Sequence, residues 1–354
     1  SAALRLPSKK AASQATQKEF LKVRTPAKLI LSGEHAVVHG HPALAIAIDR
    51  YIEATARWTS PLHLSFNLMG IDFKREITLH ALRKLKNKIK EKYHKYNLGR
   101  LSIREVLQKP FELSLFTVIN VLDKLKNKLP MGVDIVTDSN IPIGCGMGSS
   151  AASVVNIVFA LANFLDIDLN LDEYINLGIE SENLQHGNSS GLDVYTVYHG
   201  GAVRYKKGEF ASRDIPDFPM KIVQTGQPHS STGECVAHTQ PFFKNSTIGS
   251  DFAAITDQLD TALQQHNFAA IQECIRNNHR LLDTIGVVPE KVNGFIHDVE
   301  KSGGAAKICG AGSISGDQAG VVLIVSENNV STLAERYGYN VMPVKTDTRG
   351  TCVI

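Results

Sequence analysis

With 354 residues, 43% of them hydrophobic, the chain can bury a sizeable core and is long for one hydrophobic centre, so two domains are the expectation. A net charge of +3, from 38 basic and 35 acidic residues, permits an anionic substrate but gives no ground for a nucleic-acid or membrane partner. The dispersed Cys145, Cys235, Cys274, Cys309 and Cys352 form no metal-ligand pattern and read as free thiols in a reducing compartment.

Residues 1–19 are mostly basic, small and polar and read as a flexible tail, with a weak organellar signal as the alternative. Ala27 to Ser32 is a short apolar run ending at Gly33, the pattern of a buried strand. Lys28 interrupts that run, and an unpaired ammonium there is costly, so a carboxylate or phosphate partner is expected unless the stem snorkels to the surface. His35 follows Gly33 and Glu34 in a turn, where an ordinary loop role is the alternative to a ligand contact. Ala43 to Ile48 and Tyr51 to Trp58 predict further sheet. Leu82, Leu85, Ile89 and Tyr93 recur at helical spacing within the basic stretch Glu76 to Tyr93, which predicts a solvated helix with one apolar face.

Val133 to Thr137 is the next strand candidate, followed by the glycine-rich segment IPIGCGMGSSAAS from Ile141 to Ser153. Gly144, Gly146 and Gly148 allow positive φ and close approach to an anion, and the predicted helix Ser149 to Leu165 offers unpaired N–H groups at its start. A turn before a capped, tightly packed helix is the bland alternative. No lysine separates the last glycine from Ser149 and Ser150, so this is not the common P-loop, and protein-kinase and dinucleotide signatures are missing. A helix is expected over Asp172 to Leu184. Glu182 near its end and Asp193 beyond Gly187 and Gly191 flank a turn, a pair suited to one metal ligand and one proton acceptor, or else a solvated helix end.

Lys206 to Pro219 reads as loop and as the boundary between an amino-terminal domain, 20–210, and a carboxy-terminal domain, 211–354. Lys221 to Thr225 and Val321 to Val325 predict strands, and Phe252 to Leu282 is helical in composition. Gln227 to Gly233 is a polar loop containing Thr232. Gly303 to Asp317 is glycine-dense and predicts either a second backbone loop near a ligand or a tight interdomain turn.

Three motifs in order resemble the superfamily of galactokinase, homoserine kinase, mevalonate kinase and phosphomevalonate kinase, the GHMP kinases. They are AKLILSGEHAVVHGHPALAIAI at Ala27 to Ile48, the glycine-rich loop at Ile141 to Ala152, and KICGAG at Lys307 to Gly312. The first resembles the mevalonate kinase branch. Galactokinases typically have arginine in place of Lys28 and an acidic residue in place of Val37, whereas phosphomevalonate kinases usually replace His35.

The resemblance implies a two-domain α+β fold: a ribosomal-protein-like amino-terminal domain with a left-handed β-α-β crossover, and a ferredoxin-like carboxy-terminal domain. It implies ATP-dependent phosphorylation of mevalonate in isoprenoid and sterol synthesis, with Mg2+ as cofactor. Asp193 would act as base or orienting carboxylate and Lys28 as its partner. Ser150 and Glu182 would hold the metal, and Gly144, Cys145, Gly146, Met147, Gly148 and Ser149 would cradle the triphosphate. Gly310, Ala311 and Gly312 would close over it, while His35, Glu34, Ser190 and Thr232 would line the substrate pocket. A homodimer, a prenyl diphosphate inhibitor at the ATP site, and a cytoplasmic or peroxisome-like location are compatible with the family.

Three departures stand out: Ser189 replaces a customary proline and is expected to loosen the acidic loop. Ser313 to Asp317 replaces a longer glycine run, and Gly233 lacks the long side chain that often follows the serine-threonine pair. Another superfamily substrate is the nearest alternative, and RNA binding through Lys84 to Lys95 a remote one.

Overall fold

The computed structural model describes residues 18–60, 62–215 and 217–354, so most of the expected tail at 1–19 lies outside the described residues. The first sheet begins with the long antiparallel pair β1 (Phe20–Ser32) and β2 (Ala43–Thr59). Sequence patterning splits β2 into two runs; the structure shows one strand with a bulge. Pro26 pairs with Tyr51 but Ala27 pairs with Ile48, leaving Asp49 and Arg50 outside the ladder. β3 (Leu64–Leu68), β4 (Phe73–Ile77) and β5 (Gly132–Ser139) extend the sheet in the order β1-β2-β5-β3-β4, with β3 and β5 parallel.

Helix α1 (Leu79–Asn97) starts later than the periodicity suggests, because Thr78 caps it by accepting the Ala81 N–H at 3.1 Å. Its Leu82 and Ile89 are buried, and Lys86 pairs with Asp123 at 2.6 Å. α2 (Glu112–Leu122) was not visible in the pattern, since every residue from Leu113 to Leu122 is buried and leaves no polar face to set a period. α3 (Ser149–Phe164) and α4 (Leu171–His186) fall close to expectation. Ala151 and Ala152 are fully buried, and Asn156 donates to the Val23 carbonyl and Thr25 hydroxyl, each at 3.2 Å, fixing α3 against β1. The segment expected to turn through Asp193 instead enters a short helix, α5 (Leu192–His199).

β6 (Ala202–Lys206) pairs with β2 and with β7 (Glu209–Arg213), a hairpin whose turn and second strand fall inside the stretch expected to be loop. Lys207 and Gly208 both have positive φ, +48° and +84°, as a two-residue hairpin turn requires. The chain then enters β8 (Met220–Gln224), the first strand of the second sheet. α6 (Thr232–Asn245) and two separate helices follow, α7 (Ile248–Gln264) and α8 (Phe268–Thr284), where one helical stretch was expected. Asn267 ends the continuity by capping α8 through the Ala270 N–H at 3.1 Å.

α9 (Glu290–Lys301), β9 (Ala305–Ile308), β10 (Val321–Val325), α10 (Ser331–Arg336) and β11 (Val341–Pro343) complete this half. Its antiparallel order, β11-β8-β10-β9, places the fourth strand beside the first and the third beside the second. That is the ferredoxin-like arrangement. The last strand, β12 (Cys352–Val353), returns to pair with β1. One apolar cluster runs through both halves, from Leu29 and Ile46 through Ala151 and Ile275 to Ile222 and Leu323. Such continuity makes the halves pack as one body at the level where the loops meet.

Candidate active site

The edge of β1 at Lys28 is not open. The Lys28 N–H donates to the Met147 carbonyl at 3.0 Å, which draws the glycine-rich loop against the strand. Gly144, Gly146 and Gly148 have φ of +70°, +83° and +70°. The reason for glycine is partly internal: a Cβ on Gly148 would lie 2.9 Å from the Lys28 stem, and one on Gly146 would collide with the Cys309 carbonyl. Cys145 and Met147 alternate with these glycines and point inward, both buried. They contribute backbone rather than side chain to the exposed face. Gly148 is the N-cap of α3 and supplies no side-chain cap, so the first N–H groups of that helix keep their capacity for an anion.

Lys28 is 3% exposed and its ammonium lies 3.2 Å from Asp193 Oδ1. The carboxylate belongs to the first turn of α5, after Gly191 at φ +85°, where the helix dipole favours negative charge. Ser150 donates to Glu182 Oε1 at 3.0 Å. The second oxygen, Oε2, is buried with no hydrogen-bond partner in the structure. Burial, reinforced by the Asp193 carboxylate, pushes the Glu182 pKa up to about 8, against the opposing pull of Ser150 and Lys28. A buried, half-satisfied carboxylate beside a hydroxyl and an open helix start is a donor set that fits a hard dication bound jointly with phosphate oxygens. Among the described residues no group of three His, Cys, Asp or Glu side chains forms a metal cluster, so the protein's share would be two ligands.

The acidic loop is tightly held, contrary to the looseness expected from Ser189. The Ser189 N–H, which proline would lack, donates to Asn183 Oδ1 at 2.7 Å, and its hydroxyl accepts from Gly191 N at 3.2 Å. Tyr93 donates to the Gly187 carbonyl at 2.8 Å. Ser190 accepts the Leu192 N–H at 3.2 Å and so acts locally as a cap. His186, at the end of α4, drew no attention in the sequence. Burial lowers its pKa, Asp193 opposes that shift and Lys28 adds to it, which places the imidazole in the same electrostatic field.

Glu34 and His35 are buried where the turn after β1 meets the second half. Glu34 is 2% exposed, and its oxygens meet Lys307 and Asn278. His35 has φ +63°, a conformation costing ~1–3 kcal/mol. Its Nε2 is 2.9 Å from the Ala311 carbonyl and its Nδ1 3.4 Å from the Thr239 hydroxyl. The polar atoms of both residues thus make contacts between the two halves of the molecule. Thr232 is an exposed first residue of α6, capped by Ser231 through Glu234 N at 3.1 Å, and is not hydrogen-bonded to the Lys28–Asp193 pair among the described contacts.

Gly310 and Gly312, at φ +89° and +71°, carry the third motif across the glycine-rich loop. A Cβ on Gly310 would stand 3.1 Å from the Gly146 Cα. The Ser313 to Asp317 departure is bound to the neighbouring loop: Ser313 donates to Ser230 Oγ at 3.0 Å, and Ile314 N donates to the same oxygen at 3.1 Å. A cavity of about 450 Å³ beside Arg75, Thr78 and Phe111 is lined by none of these site residues.

Residues 116–201 match the family profile described as GHMP kinases N terminal domain. A mevalonate kinase of Thermococcus onnurineus is 31% identical over 301 residues, spanning 81% of this chain and 85% of that protein. One from Pyrococcus abyssi is 29% identical over 299 residues, spanning 81% and 84%. The crystal structure of the Methanococcus jannaschii mevalonate kinase has a TM-score of 0.77 at 24% identity, covering 93% of this chain and 99% of that one, a likeness of fold. The chain belongs to the GHMP kinases, in the mevalonate kinase family.

Proposed function

We propose that this kinase transfers the γ-phosphoryl group of ATP to the 5-hydroxyl of mevalonate, giving 5-phosphomevalonate and ADP. The observation that carries the reading is the Lys28–Asp193 pair at 3.2 Å, set beside the Ser150–Glu182 couple and the uncapped start of α3. Phosphoryl transfer asks for alignment and charge neutralisation more than covalent help, and these groups supply both.

Asp193 orients the substrate hydroxyl and accepts its proton as the oxygen attacks. Lys28, held in place by its stem over Gly148, offsets the negative charge developing on that oxygen. Main-chain N–H groups of the loop and of the first turn of α3 receive the phosphates. Ser150 and Glu182 would hold Mg2+, which supplies neutralisation of phosphate charge when bound. Glu182, with one oxygen unpartnered, would serve such an ion in its ionised form. On the basic helix, Lys86 pairs with Asp123 and Lys95 with Glu91.

The test is ATP-dependent turnover across mevalonate, phosphomevalonate, homoserine and galactose, with magnesium and with chelator. Selective magnesium-dependent turnover of mevalonate is the expected result. Folded protein that phosphorylates another of the four instead would move the error to the substrate pocket, and none at all would reject the reading.

A further inference from the structure

Lys307 and Glu34 form an ion pair from which solvent is excluded, their side chains being 0% and 2% exposed. Each proton of the ammonium has an acceptor: Glu34 Oε1, the Ile30 carbonyl at 2.8 Å and the Ile308 carbonyl at 2.7 Å. The other Glu34 oxygen accepts from Asn278 at 3.4 Å, Asn278 accepts from Ser32 at 3.1 Å, and Ser32 shares a 2.7 Å hydrogen bond with Thr256. Thus α7, α8 and β9 of the second half all grip the last residues of β1 and its turn.

We propose that Lys307 and Glu34 are positioning residues for phosphoryl transfer, fixing Lys28 relative to the glycine-rich loop. Ile30, held by Lys307, lies two residues beyond Lys28 on β1. From Lys307 the chain passes through Ile308 to Cys309 and Gly310, which pack on Gly146. Val321, paired with Cys309, donates to the Cys145 carbonyl at 2.9 Å, and Lys28 closes the circuit by donating to Met147 at 3.0 Å. Every joint is a backbone contact or a buried bond, so a change in length at the ion pair is transmitted to the Lys28–Asp193 pair. A buried ion pair often stabilises no more than a well-packed apolar pair does, and in this proposal its contribution is direction and fixed length. This inference rests on the kinase reading of Lys28 and Asp193.

Two variants test it. Glu34→Gln with Lys307→Met removes both charges and leaves none buried alone, and Glu34→Asp keeps both charges but shortens the reach. The double variant should fold with near-parental melting temperature, keep KM for ATP and mevalonate within about threefold, and lose kcat by about 100-fold. Glu34→Asp should lose kcat by roughly tenfold on the same reasoning. Amide exchange at Lys28 should accelerate in both, with that of the β2–β5 ladder unchanged. Parental kcat in either folded variant would overturn the proposal. So would failure of both to fold, which would make the pair a stability element only. A parental enzyme inactive on mevalonate would strike the proposed function and not this inference, which exchange at the Lys28 amide would then decide.

Discussion

Two buried carboxylates, Glu182 and Glu34, are both 2% exposed and have opposite surroundings. Glu34 meets a lysine and an asparagine, so its charge is matched within the protein. Glu182 receives one hydroxyl, and its remaining oxygen is orphaned. A matched carboxylate fixes geometry between elements, whereas a half-matched one leaves work for a ligand, since an unpaired buried acceptor is costly. Equal burial therefore marks two different jobs.

Gly146→Ala attacks the joint between the two regions and should have the largest effect of the variants directed at this contrast. Its Cβ has no room beside the Cys309 carbonyl, so melting temperature and activity should fall together, by ~2–4 kcal/mol in stability. Intact stability and activity would show that the loop does not lean on the third motif.

Glu182→Gln tests the half-matched side. It should reduce kcat about 100-fold or more by removing a charge from the phosphate site. Its effect on the chelated enzyme should have the opposite sign. Glu182 holds its proton more tightly when folded than when unfolded, so the folded state loses stability as pH rises from near 4.5 towards 8. The glutamine variant escapes that loss and should melt higher than the parent at about pH 9, with the difference fading towards about pH 5. Equal pH dependence in parent and variant would mean that Glu182 is not the strained group. By the same linkage, binding of Mg2+ with nucleotide near neutral pH should release up to about one proton from the parent and fewer from the variant, readable by calorimetry in buffers of different ionisation enthalpy.

Asn183→Ala should have the smallest effect. It removes the 2.7 Å bond to Ser189 N and should cost ~1 kcal/mol, with a modest loss of kcat from a looser Asp193 loop. No change in melting temperature would show that Tyr93 and the hydroxyls of Ser189 and Ser190 suffice to hold the turn.

The sequence made parts of this arrangement legible and concealed others for identifiable reasons. Val321 to Val325 and the helix beginning at Ser149 were readable because each apolar run starts directly after a glycine. The cost of burying Lys28 signalled a partner, but the identity of Asp193 came from the family resemblance, since no local pattern links residues so distant in sequence. Helix α2 carries no period because it is buried all round, and the β6–β7 hairpin hid behind Lys206, Lys207 and Glu209 on an exposed face. The family resemblance alone put Glu34 in the substrate pocket, and no local pattern pointed to its ion pair. Its partner Lys307 lies 273 residues away, and only the folded chain brings them together.

Single-turnover transfer from ATP to mevalonate by Asp193→Asn, with nucleotide affinity measured alongside, tests the central claim most directly. The account predicts that transfer slows by about 1,000-fold or more while nucleotide still binds within a fewfold of the parent. Transfer at near-parental rate would contradict it and remove Asp193 from the chemistry.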